Sequence, residues 1–302
     1  MQKRQLGKEG PEVSCIGFGA WPIGGGMGQV SEKAAIEIVR TAIDHGITLL
    51  DTAQAYRTSE GIIGKALKEG YRNQCFLATK VSGNYSQSGI ITAMENSLKM
   101  LDVDYVDLYQ IHGWNPEYPI EESMETMQLL QKQGKTRFIG VSNFDANQMS
   151  RALQTAKFES NQPRYNMFDR EIELEDINFC EQSGIGILAH SPLAKGLLTG
   201  KYNPGFQFPA DDERSNYHRF QGELFTQYLA IAEDLKQIAH QKRINLVQLS
   251  VAWALRLPAI SCVLVGAKTP DQVREHTVAA STVLSNDELE MINKILTSTP
   301  KG

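Results

Sequence analysis

The stretch Leu49-Leu50-Asp51-Thr52-Ala53-Gln54-Ala55-Tyr56 sets a carboxylate at the end of an apolar run and a phenol five residues beyond it. Ile47 to Leu50 is short, apolar and β-branched at its start, the composition of a buried strand. Thr58 to Glu69 carries apolar residues at helical spacing. Asp51 and Tyr56 are therefore expected at the C-terminal end of a strand and in the loop after it, where α/β folds carry their chemistry. A phenol with a pKa of about 10 is a poor acid at neutral pH, so a catalytic tyrosine needs a cation beside it. The next strand, Phe76 to Lys80, ends on such a cation, and the one after it, Val106 to Ile111, runs into His112. Singly, each is better read structurally, Asp51 as a loop cap, Lys80 as solvated and His112 as a core histidine. Together, at three consecutive strand ends, they are equipment for giving a proton to a carbonyl oxygen, with Lys80 expected to lower the pKa of Tyr56 and Asp51 to hold Lys80.

Strand and helix patterns alternate outward from this point. Gln2 to Gly19 reads as a hairpin turning at Gly7-Lys8-Glu9-Gly10-Pro11 and leading into a strand around Ile16 to Phe18. Further strands start near Ile47, Phe76, Val106, Arg137, Ser160, Ile185 and Ser261, each followed by a helix pattern, which only parallel strands with crossover helices repeat. Helices are expected over Ser31 to His45, Gly89 to Met100, Ile120 to Gln133, Asp145 to Lys157, Glu171 to Gln182, Leu246 to Leu255 and Asp271 to Ala280, with a last pattern from Ser285. Eight such units predict an α/β fold of the (β/α)8 TIM-barrel type with an N-terminal β-hairpin. A doubly wound open sheet is the alternative, disfavoured because the glycine-rich loop Gly19 to Gly26 lacks the GxGxxG spacing. Lys195 to Gln221, polar and too long for an ordinary βα loop, is expected to be a lid loop after the seventh barrel strand. Nothing in composition marks a linker, so residues 1–302 are read as one domain.

The 302-residue chain is 41% hydrophobic and 22% charged, proportions of a globular protein, and its net charge of −5 offers no basic field for nucleic acid. No apolar run reaches the roughly 20 residues of a membrane span, and Met1 to Gln5 lacks the apolar region of a signal peptide. A cytoplasmic, monomeric protein is expected. Cys15, Cys75, Cys180 and Cys262 are scattered singly, which predicts buried thiols, and no metal site is expected.

Over essentially its full length the sequence resembles the aldo-keto reductases. The matching stretches are Gly17-Phe18-Gly19-Ala20-Trp21, Asp51-Thr52-Ala53 with Tyr56 and Ser59-Glu60, Thr79-Lys80, Gln110-Ile111-His112, Ile139-Gly140-Val141-Ser142-Asn143-Phe144, Tyr165-Asn166, Ser191-Pro192-Leu193 and Gly266-Ala267-Lys268. Leu198-Thr199-Gly200-Lys201 and the Asp212, Arg214, Phe220 lid segment resemble bacterial reductases of that family. The resemblance implies NADPH-dependent reduction of an aldehyde or ketone, with NADP(H) extended across the barrel mouth. A cofactor-binding redox sensor, as in the related potassium-channel β subunits, is the alternative.

By the same resemblance, Tyr56 is the general acid, Lys80 and Asp51 its tuning pair, and His112 the group that orients the carbonyl. Ser142, Asn143 and Gln162 fall where the nicotinamide carboxamide binds, and Gly19, Ala20, Trp21 and Asp51 adjoin it. Ser191, Leu193 and Gly196 match the pyrophosphate loop, and Pro192, Leu198 and Lys201 are further cofactor-binding positions. Gly266, Ala267, Lys268, Thr269, Gln272, Glu275 and His276 form the adenosine-phosphate segment, where Lys268 is expected to read a 2′-phosphate with Arg274 as a second charge. Trp21, Tyr56, His112 and Trp114 are expected to wall an open pocket for small aldehydes and aromatic carbonyls. Two positions depart from the family pattern: His190 stands where an aromatic side chain commonly stacks on the nicotinamide, and His276 where asparagine is frequent.

Overall fold

Parallel strands covered on both faces must be apolar at almost every position, and Phe76–Val81 and Val106–Ile111 are buried from end to end. In a computed structural model describing residues 1–300, eight parallel strands close into a barrel. A hairpin of β1 (Lys3–Gln5) and β2 (Glu12–Ser14) precedes β3 (Ile16–Gly19), α1 (Glu32–Asp44), β4 (Leu49–Asp51) and α2 (Ser59–Ala66). Then come β5 (Phe76–Val81), α3 (Gln87–Leu101), β6 (Val106–Ile111), α4 (Ile120–Lys132), β7 (Thr136–Ser142), α5 (Ala146–Leu153) and β8 (Ser160–Gln162). The chain finishes with α6 (Asp176–Ser183), β9 (Gly186–His190), α7 (Gly222–Gln241), α8 (Leu246–Ala254), β10 (Ile260–Val265), α9 (Pro270–Val278) and α10 (Asn286–Leu296). Strands β3 to β10 follow one another around the ring, and β10 pairs with β3 to close it. The expected TIM barrel and its N-terminal hairpin are both present.

The hairpin stoppers the N-terminal end of the barrel. Leu6 and Val13 are fully buried against Leu49, Ala78, Leu108 and Leu188, which point into the barrel. Arg4 donates to the carbonyls of Leu255 (2.9 Å) and Ile260 (2.7 Å). A Cβ at Gly186 would lie 2.4 Å from the Gly7 nitrogen, so only glycine lets the hairpin turn dock on β9. Chemistry is thus confined to the opposite end. There the register sets Gly19 beside Asp51, Lys80 beside Gln110 and Ser142 beside Gln162, so the strand ends form one floor.

The segment after β9 departs from expectation. Short 3-10 turns occupy much of Ala194–Phe220, and the loop leads into α7, a 20-residue helix not anticipated from the sequence. Phe225, Tyr228, Ile231, Ala232, Leu235, Ile238 and Ala239 are buried at helical spacing. Glu171 to Gln182 is not one helix: a 3-10 turn over Glu171–Glu173 is followed by α6. Helix α5 stops at Leu153, held at its start by a capping box of Asp145 and Gln148.

Candidate active site

Lys80 occupies the centre of the floor with no solvent exposure. Its Nζ donates to Asp51 Oδ2 (2.5 Å), to the Thr52 carbonyl (2.9 Å) and toward Tyr56 Oη (3.4 Å), so three N–H groups meet three acceptors. Asp51 Oδ1 accepts from Gln162 Nε2 (2.8 Å) and Gln110 Nε2 (3.2 Å). A buried ion pair is tolerated only when its remaining hydrogen-bonding capacity is met in this way. Burial pulls the Lys80 pKa down, but Asp51 and Tyr56 outweigh it and Lys80 is held as an ammonium. For Tyr56 the expected direction is reversed. Burial raises its pKa by more than Lys80 lowers it, and Asp51 adds to the rise, so the phenol keeps its proton.

Tyr56 lies edge-on between Trp21 (ring centroids 5.1 Å apart) and His112 (5.5 Å). His112 Nδ1 is 2.6 Å from Ser82 Oγ. Burial first and then the Lys80 charge lower the His112 pKa to about 3, so the ring is neutral at pH 7.

A cavity of about 680 Å³ opens over Asp51, Tyr56 and His112 and runs between β9 and β10, a size typical of small-molecule sites. Of the residues expected to bind cofactor, its wall includes Gly19, Trp21, Asp51, Gln162, His190, Ser191, Pro192, Leu193, Gly196, Lys201, Gly266, Lys268, Gln272, Glu275 and His276. Ser142 and Asn143 stand beside it: Ser142 Oγ donates to the Gln162 carbonyl (2.8 Å), and Asn143 Nδ2 to the His112 carbonyl (3.2 Å). Ala20, Leu198 and Ala267 are buried behind the wall. Thr269 is occupied as the N-cap of α9, accepting from the Gln272 amide.

His190 is fixed by the same network. Asn143 Nδ2 donates to a carbonyl, so Asn143 Oδ1 must accept, and His190 Nε2–H donates to it at 2.9 Å. Its Nδ1 then accepts from Ser191 Oγ at 2.9 Å. Burial, with Arg164 as the leading charge, lowers the His190 pKa to about 3 and keeps this neutral tautomer. The following loop is wound left-handed at Ser191 (φ 58°), Ala194 (46°), Lys195 (55°) and Gly196 (108°). Backbone amides in such a nest can meet an anion. At the far end, Lys268 Nζ donates to the Met27 carbonyl (2.6 Å), and Arg214 is paired with Asp212. Burial lowers the Lys201 pKa, with the Arg214 and Lys268 charges adding to the effect. This cavity, with a floor whose ammonium and carboxylate are paired, an amide nest and clustered cations, fits an extended dinucleotide. Glu213 straps it, accepting from Trp21 Nε1 (3.0 Å) and Lys195 Nζ (2.6 Å).

Two expected residues stand elsewhere. Trp114 is not on the cavity wall; it packs edge-on to Phe144 at 5.3 Å. Arg274 is not a second charge for the cavity but pairs with Asp271 at 2.6 Å on the exposed face of α9. Ser82, Met27, Arg164 and Glu213 were missed. They lie in loops or, for Glu213, at the start of a short 3-10 turn, where no periodicity marks a residue that faces a site. Among the described residues no three His, Cys, Asp or Glu side chains gather as a metal site, and no helix is long and apolar enough to cross a membrane.

The model of the Aldo/keto reductase family matches residues 15–297. Aldo-keto reductase YhdN of Bacillus subtilis is 39% identical, over 99% of this chain and 95% of the relative. A probable voltage-gated potassium channel subunit beta of Arabidopsis thaliana is 34% identical over 100% and 98%. An NADH-specific methylglyoxal reductase of Escherichia coli is 31% identical over 98% of each chain. Among solved structures, a glycerol dehydrogenase of Gluconobacter oxydans superposes with a TM-score of 0.89 at 32% identity, covering 98% of this chain and 95% of that one. Barrel, site and sequence agree: the chain belongs to the aldo-keto reductase family, whose general reaction is carbonyl reduction with a nicotinamide cofactor.

Proposed function

We propose that this protein reduces aldehydes and ketones to alcohols with NADPH, and that Tyr56 is the proton donor. The observation that carries this reading is a buried ammonium, Lys80, aimed from 3.4 Å at a phenol on the cavity wall. When bound, a reduced nicotinamide supplies a hydride to the carbonyl carbon. Tyr56 enters the reaction protonated and gives its proton to the oxygen. Lys80 stabilises the phenolate left behind, and Asp51 fixes Lys80 in place. His112, neutral and edge-on to Tyr56, hydrogen-bonds the same oxygen. The backbone N–H groups of Ser191, Leu193 and Lys195 hold the pyrophosphate, those of Ala194 and Gly196 being taken within the loop, with Asn143 and Gln162 at the carboxamide. Lys268, beside Lys201, reads the 2′-phosphate. Trp21 and Ala55 border the space next to Tyr56 and favour small aldehydes and aromatic carbonyls.

A second reading, a cofactor-binding redox sensor, draws on the likeness to the channel-subunit relative. Mixing the protein with excess NADPH and benzaldehyde or methylglyoxal, and following nicotinamide absorbance, separates the two. Many equivalents oxidised per chain are expected. Oxidation that stops after one equivalent favours the sensor, and equal use of NADH removes the 2′-phosphate preference.

A further inference from the structure

The main chain of His112 is pinned from both sides. Its N–H donates to the Val81 carbonyl (3.1 Å), and its carbonyl accepts from Asn143 Nδ2 (3.2 Å). The freedom left to the side chain is ring rotation and the choice of tautomer. Ser82, two residues beyond Lys80 on the same strand end, meets the ring at Nδ1. Ser82 is itself held from the Tyr56 loop: its N–H donates to Gln54 Oε1 (3.4 Å), and the Gln54 N–H donates to the Lys80 carbonyl (3.2 Å). The two side chains placed to meet a carbonyl oxygen, Tyr56 and His112, are therefore linked through Gln54 and Ser82.

We propose that Ser82 is a positioning residue that donates its hydroxyl proton to His112 Nδ1 and so fixes the tautomer with the proton on Nε2, presented to the substrate carbonyl oxygen. A neutral imidazole has one N–H, and the partner of one nitrogen decides which nitrogen carries it. Were Nδ1 protonated, it would donate to Ser82 Oγ. The hydroxyl proton would then find no protein acceptor among the described residues, since Nδ1 is the only hydrogen-bond partner of Ser82 Oγ. Nε2 would also turn a lone pair toward the oxygen lone pairs of the substrate. With Ser82 donating, both hydrogen bonds form and the substrate oxygen meets two donors, Tyr56 Oη and His112 Nε2. The inference rests on the proposed carbonyl reduction for its catalytic consequence, but the tautomer itself is a property of the protein without substrate.

The test is a 15N–1H multiple-bond correlation spectrum of the full-length, 15N-labelled protein, with the His112 ring assigned among the six histidines by His112→Asn. A protonated Nε2 with a bare Nδ1 is expected, and Ser82→Ala should give a mixture of tautomers. In Ser82→Ala, kcat should fall by about 10- to 100-fold, by analogy with loss of the partner that orients a metal-bound histidine, with NADPH affinity unchanged. Ser82→Thr, which keeps the hydroxyl, should restore both tautomer and kcat. A protonated Nδ1 in the wild type overturns the proposal, as does Ser82→Ala with unchanged tautomer and rate. If Ser82→Ala fails to fold, the wild-type spectrum still decides. A protonated Nε2 in a protein that reduces no carbonyl upholds the hydrogen bond and refutes the proposed function instead.

Discussion

Replacing Lys268 with alanine separates the two nicotinamide cofactors, because NADPH differs from NADH only in the 2′-phosphate. Lys268 Nζ spends one N–H on the Met27 carbonyl and has others for a ligand. Asp212 is paired with Arg214, and Lys201 stands in the same cation cluster as Lys268. A charge-assisted hydrogen bond contributes about 1.5–3 kcal/mol, or roughly ten- to a hundredfold in affinity. The variant also loses the Met27 tether, a single bond of about 0.5–1.5 kcal/mol that serves both cofactors alike. The ratio of affinities is therefore the quantity to read. Titration of tryptophan fluorescence, with Trp21 on the cavity wall, gives Kd for each cofactor. Lys268→Ala should shrink the NADPH-to-NADH preference by roughly ten- to a hundredfold, and added salt should shrink it in the wild type, since lysine meets phosphate as a point charge. Equal loss for both cofactors would refute the assignment of Lys268 to the phosphate.

Three further outcomes follow from the geometry. Lys80→Met strands Asp51 as a buried lone charge and should cost about 3–5 kcal/mol in urea unfolding, most of it recovered in Lys80→Met/Asp51→Asn, while both variants lose turnover. Glu213→Ala cuts the strap to Trp21 and Lys195, contacts together contributing about 1–2 kcal/mol, and should speed cofactor release roughly five- to thirtyfold in stopped-flow displacement. His112 and His190 titrate at about 3 and His276 at about 4, against about 6.5 in the unfolded chain. Below pH 6.5 the unfolded state therefore binds more protons, and stability falls as pH falls, by about 2 kcal/mol per histidine at pH 5. An unchanged urea midpoint between pH 7 and pH 5 would contradict that.

The barrel was legible because buried parallel strands are apolar runs and crossover helices keep their own period. Asp51, Lys80 and His112 could be brought together from sequence for one reason: they lie at or within one residue of the ends of successive strands, and parallel register sets strand ends level. Helix α7 was overlooked because a long polar loop precedes it and its start has no side-chain cap, although Phe225 to Ala239 repeat at helical spacing. The direction of the Tyr56 shift was misread because a neighbouring cation is visible in sequence and the depth of burial is not. Arg274 looked available to a phosphate, but an acid three residues back satisfies it locally. Ser82, Arg164 and Glu213 act through folded loops, and their spacing along the chain carries no trace of that.

Single-turnover reduction by Tyr56→Phe tests the central claim most directly. The substitution removes the acid and keeps the ring between Trp21 and His112. Protein preloaded with NADPH is mixed with an aldehyde in a stopped-flow instrument, and the hydride-transfer rate is compared with that of the wild type. A fall of about 10²–10⁴-fold with NADPH binding retained is the predicted result. Transfer at near wild-type rate would contradict the assignment of the proton to Tyr56.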